Sequence, residues 1–415
     1  MKRVILILIA IISSFPINSA SISKEMLDNP FPSVENLEAF DFESRELTYP
    51  GIEINLMTTE TGDEVYSYFG HTSLEVRIPG YIPLFYDYGY FSFSDGFYLD
   101  FVLGRLFYNV YATDGEMRIS GFKSANRTVH RTPLDLSPKM KNAVLEFLSY
   151  NTEPENNTYL YDYYLDNCAT RVRDIYNEAT GGEFKRWAEG MKTGSTLRKS
   201  ANLYLDKNPI VSFTLSYLQG PAIDKPITLY EECFLPLSLM KAIEIFEGVE
   251  STTVYEAEGR KELRDLSLNT WCLIFSVSLY FIALFFYSSR KKVVRRIMDI
   301  IMSVLYLYFF ILSIVLIFVM CFTNHAVTYF NANILYANPL ILIMAAEALR
   351  GRRCSKRFAY SIISMSVIAI AFIMKALFPL VFIQENLGIL MVMSSIYLIN
   401  ITYYFLQKER EENIG

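Results

Sequence analysis

Five apolar runs, at residues 270–289, 299–322, 333–349, 358–381 and 386–406, dominate the last third of this chain. Each approaches the roughly 20 residues that a helix needs to cross a bilayer. The sequence before residue 270 is acidic and rich in tyrosine, so two units are expected. Lipid offers no partner for an exposed peptide group, so the second unit reads as an all-α bundle of about five transmembrane helices. Loop charge orients it. The segments 290–296 and 350–357 are strongly basic, and Lys408 and Arg410 follow the last run. The loops around Asn324-His325 and Gln384-Glu385-Asn386 carry no Lys or Arg. The positive-inside rule then places the basic loops and the C-terminus in the cytoplasm and residues 21–268 on the far side.

The N-terminus gives an independent signal. Lys2 and Arg3 precede an apolar stretch, Val4 to Ile12, that is too short to span, and Ser13 to Ala20 is small and polar with Pro16 as a breaker. This is the pattern of a secretory signal peptide cut after Ser19 or Ala20; an uncleaved anchor is the alternative. The expected organisation is a signal peptide at 1–20, an exported domain at 21–268, a membrane domain at 269–407 and a tail at 408–415. The net charge of −6 argues against nucleic acid as a partner.

The exported half reads as α+β. Ile52 to Met57, His71 to Ile78 and Ile82 to Phe91 alternate like strands, and the last two form a hairpin. Residues 114–135 are expected to hold one or two further strands. Ser137-Pro138 opens a helix reaching Ser149, with Met140, Val144, Leu145 and Leu148 on one face. Another helix begins near Cys168, capped by Asp166 or Asn167, and Leu197–Leu205 and Pro236–Glu247 are further helices. Thirteen aromatic residues between Tyr81 and Tyr111 fit either a strand core or a surface at the headgroups.

The chemistry narrows to a few residues. There are three histidines: His325 in a loop between spans, His130 in a strand, and His71 at the mouth of a strand after Gly70. Of five cysteines, only Cys168 and Cys233 lie in the exported half. They could pair in an oxidising compartment, or each stand alone, with Cys233 a buried thiol. A thiol at a helix start faces unpaired amides and the positive end of the helix dipole, both of which favour thiolate, and Arg171 and Arg173 are close enough in sequence to add to this. A thiolate nucleophile needs a base, which His71 can supply. There is no CxxC, HExxH, GxSxG or phosphate-cradling glycine loop, so no metal and no cofactor is expected. In the membrane half, Lys375 lies in the outer part of the fourth run. It reads either as a lysine reaching the outer headgroups or as a phosphate contact for a bound phospholipid.

Gly70-His71-Thr72-Ser73, Tyr86-Asp87-Tyr88-Gly89 and Asn167-Cys168-Ala169-Thr170 together resemble the Lnb-type periplasmic domain of Bacteroidota. That family is similar to permuted NlpC-like, papain-like thiol enzymes, in which the histidine strand precedes the cysteine helix. The resemblance implies a papain-like exported domain on the inner membrane, acting as a lipoprotein N-acyltransferase. The acyl donor would be a phospholipid and the acceptor the α-amine of a lipidated N-terminal cysteine of a lipoprotein. It implies Cys168 as nucleophile, His71 as base and Asp87 as the group that orients the imidazole. Asn167, Ser73 or the Cys168 amide would support the oxyanion or the local structure. The rivals are a cysteine peptidase or amidase acting on peptidoglycan, and a non-enzymatic envelope assembly protein.

Overall fold

A computed structural model describes residues 51–91, 97–260, 266–351 and 355–412, so the signal peptide expected at 1–20 lies outside the described residues. The exported domain is built on strands β1 (Glu53–Thr59), β2 (His71–Arg77), β3 (Leu84–Tyr90), β4 (Phe107–Asp114), β5 (Val129–Pro133) and β6 (Thr158–Leu160). Its helices are α1 (Phe97–Leu103), α2 (Gly115–Ser124), α3 (Pro138–Asn151), α4 (Cys168–Ala179), α5 (Leu197–Leu205), α6 (Pro209–Leu218) and α7 (Pro236–Glu247). Two short strands, β7 (Lys192–Thr196) and β8 (Pro226–Thr228), pair apart from the main sheet, and β9 (Thr252–Tyr255) closes its edge. The main sheet has the order β6-β4-β3-β2-β1-β5-β9 with antiparallel pairing, so β2 is its centre.

Alternation along the central strands explains the layers. Ile54, Leu56, Leu74, Val76, Tyr86 and Tyr88 share one core with Val144 and Leu148 of α3, Val172 and Ile175 of α4, and Leu239 and Ile243 of α7. On the other face, Met57, Phe85 and Val129 pack with Phe122 of α2. The aromatic stretch is split accordingly: Phe85, Tyr86 and Tyr88 are buried, whereas Tyr81, Phe107 and Tyr111 are exposed.

The segment 114–135 holds one further strand, β5, within the expected one or two, but it opens with a helix. β4 stops at Asp114, whose carboxylate accepts the Met117 N–H and caps α2. Gly115 is required there: a Cβ would come within 2.8 Å of the Phe85 ring. The chain returns to strand only at Val129.

The membrane domain contains α8 (Leu268–Ser288), α9 (Lys292–Phe322), α10 (Leu342–Arg350), α11 (Ser355–Leu377) and α12 (Leu387–Glu412). Among the described residues, four helices are long and apolar enough to cross a bilayer: α8, α9, α11 and α12. The third apolar run differs. It is broken into Asn333–Tyr336, a short 3-10 turn at Pro339–Ile341 and α10, because Pro339 cannot continue a helix from Asn338. It still joins the two sides of the bundle. At one end Asn331 and Asn333 donate to Tyr217 O, both at 2.9 Å. At the other, Arg296, near the start of α9, donates to Ala348 O.

Broken backbone at membrane depth is tolerated only where protein satisfies it. Here α6 does so. The Tyr217 hydroxyl donates to Ala337 O at 2.7 Å, and Tyr397 of α12 donates to Tyr336 O. Phe213, Tyr217 and Leu218 of α6 join the apolar core of the bundle. The exported half therefore does not end cleanly at residue 268: α6 packs within the bundle core. On the opposite side of the bundle, Arg357 and Asp299 form a buried ion pair at 3.0 Å, and Glu347 accepts the Lys356 and Arg357 amides at the start of α11.

Candidate active site

His71 begins β2, and the residue before it sets its position. Gly70 has φ +85°, and a Cβ there would come within 2.6 Å of Thr59 O, so the approach to β2 demands glycine. Ser73 lies opposite Asp87 in the β2–β3 register. His71, two residues before Ser73, therefore shares its face with Asp87. The contact follows: His71 Nε2 is 2.7 Å from Asp87 Oδ1. Gly89, with φ +108°, sits in a bulge between Tyr88 and Tyr90 that ends regular pairing beside the histidine.

Asp87 is fully buried and has three partners. Besides the imidazole, Arg118 Nε donates to its Oδ2 at 2.8 Å and the Thr113 hydroxyl donates to the same oxygen at 3.3 Å. Burial pushes the Asp87 carboxyl up, but the hydrogen bond and charge of His71, and then Arg118, outweigh it and hold the group below the usual range. Arg118 is fixed in turn by its position over the Phe122 ring, 4.5 Å from the centroid. The sequence reading did not single out Arg118, which lies on a helix in a segment expected to hold strands.

Cys168 comes from the other layer. α4 packs on β2, and its first residue arrives where that strand begins. Asn167 accepts from the Ala169 and Thr170 amides, and the Thr170 hydroxyl accepts from the Asn167 amide, a complete capping box. Asn167 Nδ2 donates to Tyr163 O and Phe234 O, tying the loop and a distant turn to the helix start. The thiol hydrogen-bonds with the His71 ring and receives the Thr72 amide. Since Nε2 is taken by Asp87, Nδ1 is the ring nitrogen left for sulfur.

Electrostatics favour a charged pair. Burial raises the Cys168 thiol, but the charge and hydrogen bond of His71 and the Thr72 amide bring it below its ordinary value. Burial lowers His71, yet the Cys168 sulfur and Asp87 raise it to about 9. Both shifts run in the direction that favours thiolate beside imidazolium. His71 is 18% exposed and Cys168 is partly exposed, so the pair is accessible.

The other expectations resolve as follows. Cys168 and Cys233 are both free thiols; Cys233 is fully buried and is pushed up to about 12 by burial. Arg171 and Arg173 do not serve the thiol: Arg171 pairs with Asp166, and Arg173 bonds Asp174 and Tyr230 O. Asp166 is thereby an ion-pair partner rather than the cap. Asn167 supports the local structure, but its amide side chain and its backbone N–H are fully engaged, so it is not an oxyanion donor. Ser73 is buried on the strand beneath the histidine. The Cys168 amide is left as the donor nearest the sulfur, because the cap takes the next two. His130 pairs with Glu60 at 2.8 Å. Lys375, at one end of α11, is not brought to the thiol; its Nζ donates to Gln384 O.

Taken together, these features define a membrane protein whose N-terminal α+β domain carries a thiol, an imidazole and a buried carboxylate in hydrogen-bonded sequence. Two family models match it: the Lnb N-terminal periplasmic domain over residues 41–202 and the Lnb transmembrane domain over residues 267–411. The chain belongs to the Lnb family, whose domains point to a lipoprotein-processing membrane enzyme with its N-terminal domain in the periplasm. α6 falls between the two matched segments. No curated protein and no solved structure matches the chain.

Proposed function

We infer that this protein is a lipoprotein N-acyltransferase of the bacterial inner membrane, with its C-terminus cytoplasmic and Cys168 as the acyl carrier. The observation that carries the reading is the Cys168–His71–Asp87 relay on a domain docked to membrane helices. In the first half-reaction the Cys168 thiolate attacks an ester carbonyl of a phospholipid. The S–C bond forms and the ester C–O bond breaks. His71 gives its proton to the leaving alkoxide, which departs as a lysophospholipid. In the second, the neutral α-amine of a diacylated lipoprotein attacks the thioester. The N–C bond forms, sulfur leaves as thiolate, and the amine proton returns to His71. Asp87 keeps the imidazole oriented and supports its charged form, and the Cys168 amide faces the developing oxyanion.

The surroundings of the thiol support a lipid substrate. Tyr161 lies beside Cys168, stacks on Tyr108 at 4.4 Å, and Tyr108 stacks on Phe91 at 5.2 Å. Beyond them α1 exposes Leu99 and Val102 and meets a loop of the membrane domain, where Asn324 N–H donates to Leu103 O at 2.9 Å. Apolar side chains between the membrane domain and the sulfur suit an acyl chain as substrate. A peptidoglycan hydrolase would have no use for them.

The test is incubation of purified protein with phospholipid and a diacylated lipopeptide, read by mass spectrometry beside Cys168→Ala. One added acyl chain on the α-amine, absent from the variant, is expected. Hydrolysis of muropeptides with no acyl gain on the lipopeptide would replace this reading with the peptidoglycan one.

A further inference from the structure

A second site lies away from the thiol. Where α5 and the start of α8 meet the end of α11 and the start of α12, the protein forms a half-open cavity of about 680 Å³. That is within the roughly 300–1,000 Å³ typical of small-molecule sites. Neither Cys168 nor His71 lines it. Its level follows from the chain: Leu268, the first residue of the first span, and Leu387, the first residue of the last, both border it. It therefore sits at the headgroup level on the side of the exported domain.

The lining is divided by chemistry. Leu203, Phe372 and Leu390 supply an apolar side, and Leu203 is exposed at the rim. Lys199, Lys375, Glu385 and Asp206 supply the charged side, and Asp206 is engaged by the Ser212 hydroxyl and the Leu268 amide. Arg198 also borders the cavity, but it is spent on Asp224, at 2.6 Å, and on three backbone carbonyls. The two lysines are different. Lys375 Nζ has a neutral carbonyl of Gln384 as its hydrogen-bond partner, and an ammonium carries three donors. Lys199 pairs with Glu385 at 3.0 Å, but both are substantially exposed, which makes the pair weak and exchangeable. Ser216, whose buried hydroxyl has no hydrogen-bond partner among the described residues, also lines the cavity.

We propose that this cavity is a binding site for the phosphate headgroup of a glycerophospholipid, set apart from the acyl-transfer centre, with Lys375 and Lys199 holding the phosphate. Two ammonium groups facing a cavity at headgroup depth match an anionic phosphate. Glu385, released from Lys199, is placed to accept an ammonium of the same headgroup. The acyl chains leave past Leu203 into the bilayer. The lipid thereby occupies the joint between α5 and the bundle. The site requires binding alone and holds whether or not Cys168 transfers an acyl chain.

The experiment is native mass spectrometry of the full chain after exhaustive detergent exchange, with Lys375→Gln, Lys199→Gln and Cys168→Ala beside the parent protein. The parent protein and Cys168→Ala are expected to retain one phospholipid mass. Each lysine variant is expected to lose occupancy by about tenfold, the loss of one charge-assisted contact. Lys199 is exposed, so its variant stays informative if Lys375→Gln does not fold. Equal lipid retention in the parent and both lysine variants would overturn the proposal. So would a parent protein that carries no lipid, or that takes up inorganic phosphate in place of lipid.

Discussion

Replacing Asp87 by Asn tests the electrostatic heart of the site. Asp87 holds the imidazole from the side opposite the sulfur, at 2.7 Å. His71 is opposed by burial, yet the Cys168 sulfur and Asp87 raise it from 6.5 to about 9, equivalent to roughly 3 kcal/mol in favour of the charged ring. A hydrogen bond to a charged group contributes about 1.5–3 kcal/mol. Losing the Asp87 charge should therefore weaken the imidazolium about 10- to 100-fold, and the thiolate by less, because the Asp87 charge itself opposes the thiolate. The assay is the rate of Cys168 alkylation by iodoacetamide across pH 5–10 (roughly spanning both groups), followed on the intact protein. The parent enzyme should react below the ordinary thiol range. Asp87→Asn should react more slowly at neutral pH, by up to about 10-fold, and approach an ordinary cysteine at high pH. Arg118 is 30% exposed and can turn to solvent when its partner is neutralised, so a cooperative melt should survive. Unchanged alkylation in a folded Asp87→Asn protein would refute the claim that Asp87 supports the pair.

Other outcomes follow from the same geometry. Acyl transfer should decline as pH rises through about 9, because His71 must be protonated to donate to the leaving alkoxide and its proton is lost there; a pH–rate profile of thioester formation checks this. Gly70→Ala should sharply reduce activity, since its φ of +85° and the 2.6 Å approach to Thr59 O leave no room for a methyl group without moving His71; kinetics and a melting curve check it together. Asn167→Ala should cost about 0.5–2 kcal/mol for the cap and more for the bonds to Tyr163 O and Phe234 O, measured by denaturant unfolding. Cys233, fully buried and pushed up to about 12, should resist alkylation at neutral pH while Cys168 is modified, as peptide mapping would show.

The parts of the site that were legible in the sequence are those set by local rules. Asn167 and Thr170 frame Cys168 with the spacing of a capping box, so the thiol at a helix start could be read directly. Gly70 before an alternating strand marked the position of His71. The parts that were not legible depend on elements far apart in the chain. Arg118 became visible only once Asp114 was seen to cap a helix in place of a strand. Arg171 seemed a natural supporter of thiolate from its distance in sequence, but Asp166, five residues earlier, claims it. In the membrane half, length and apolarity gave the runs, but the break at Asn338-Pro339 needed tertiary partners to survive. One of those partners is Tyr397 of α12 and the other is Tyr217 of α6, whose ten residues are too short to register as a span. The Arg357–Asp299 pair was hidden for a related reason: its members flank different apolar runs and meet only in the folded bundle.

The most direct test of the central claim needs no acceptor. The protein is mixed with phospholipid bearing an isotopically labelled acyl chain, quenched in acid and digested, and the Cys168 peptide is examined by mass spectrometry. The account predicts a labelled acyl group on Cys168 that is released by neutral hydroxylamine, with matching lysophospholipid in the lipid fraction. A folded protein that leaves Cys168 unmodified while still acylating a lipopeptide would contradict it, because the acyl chain would then have travelled without the thiol.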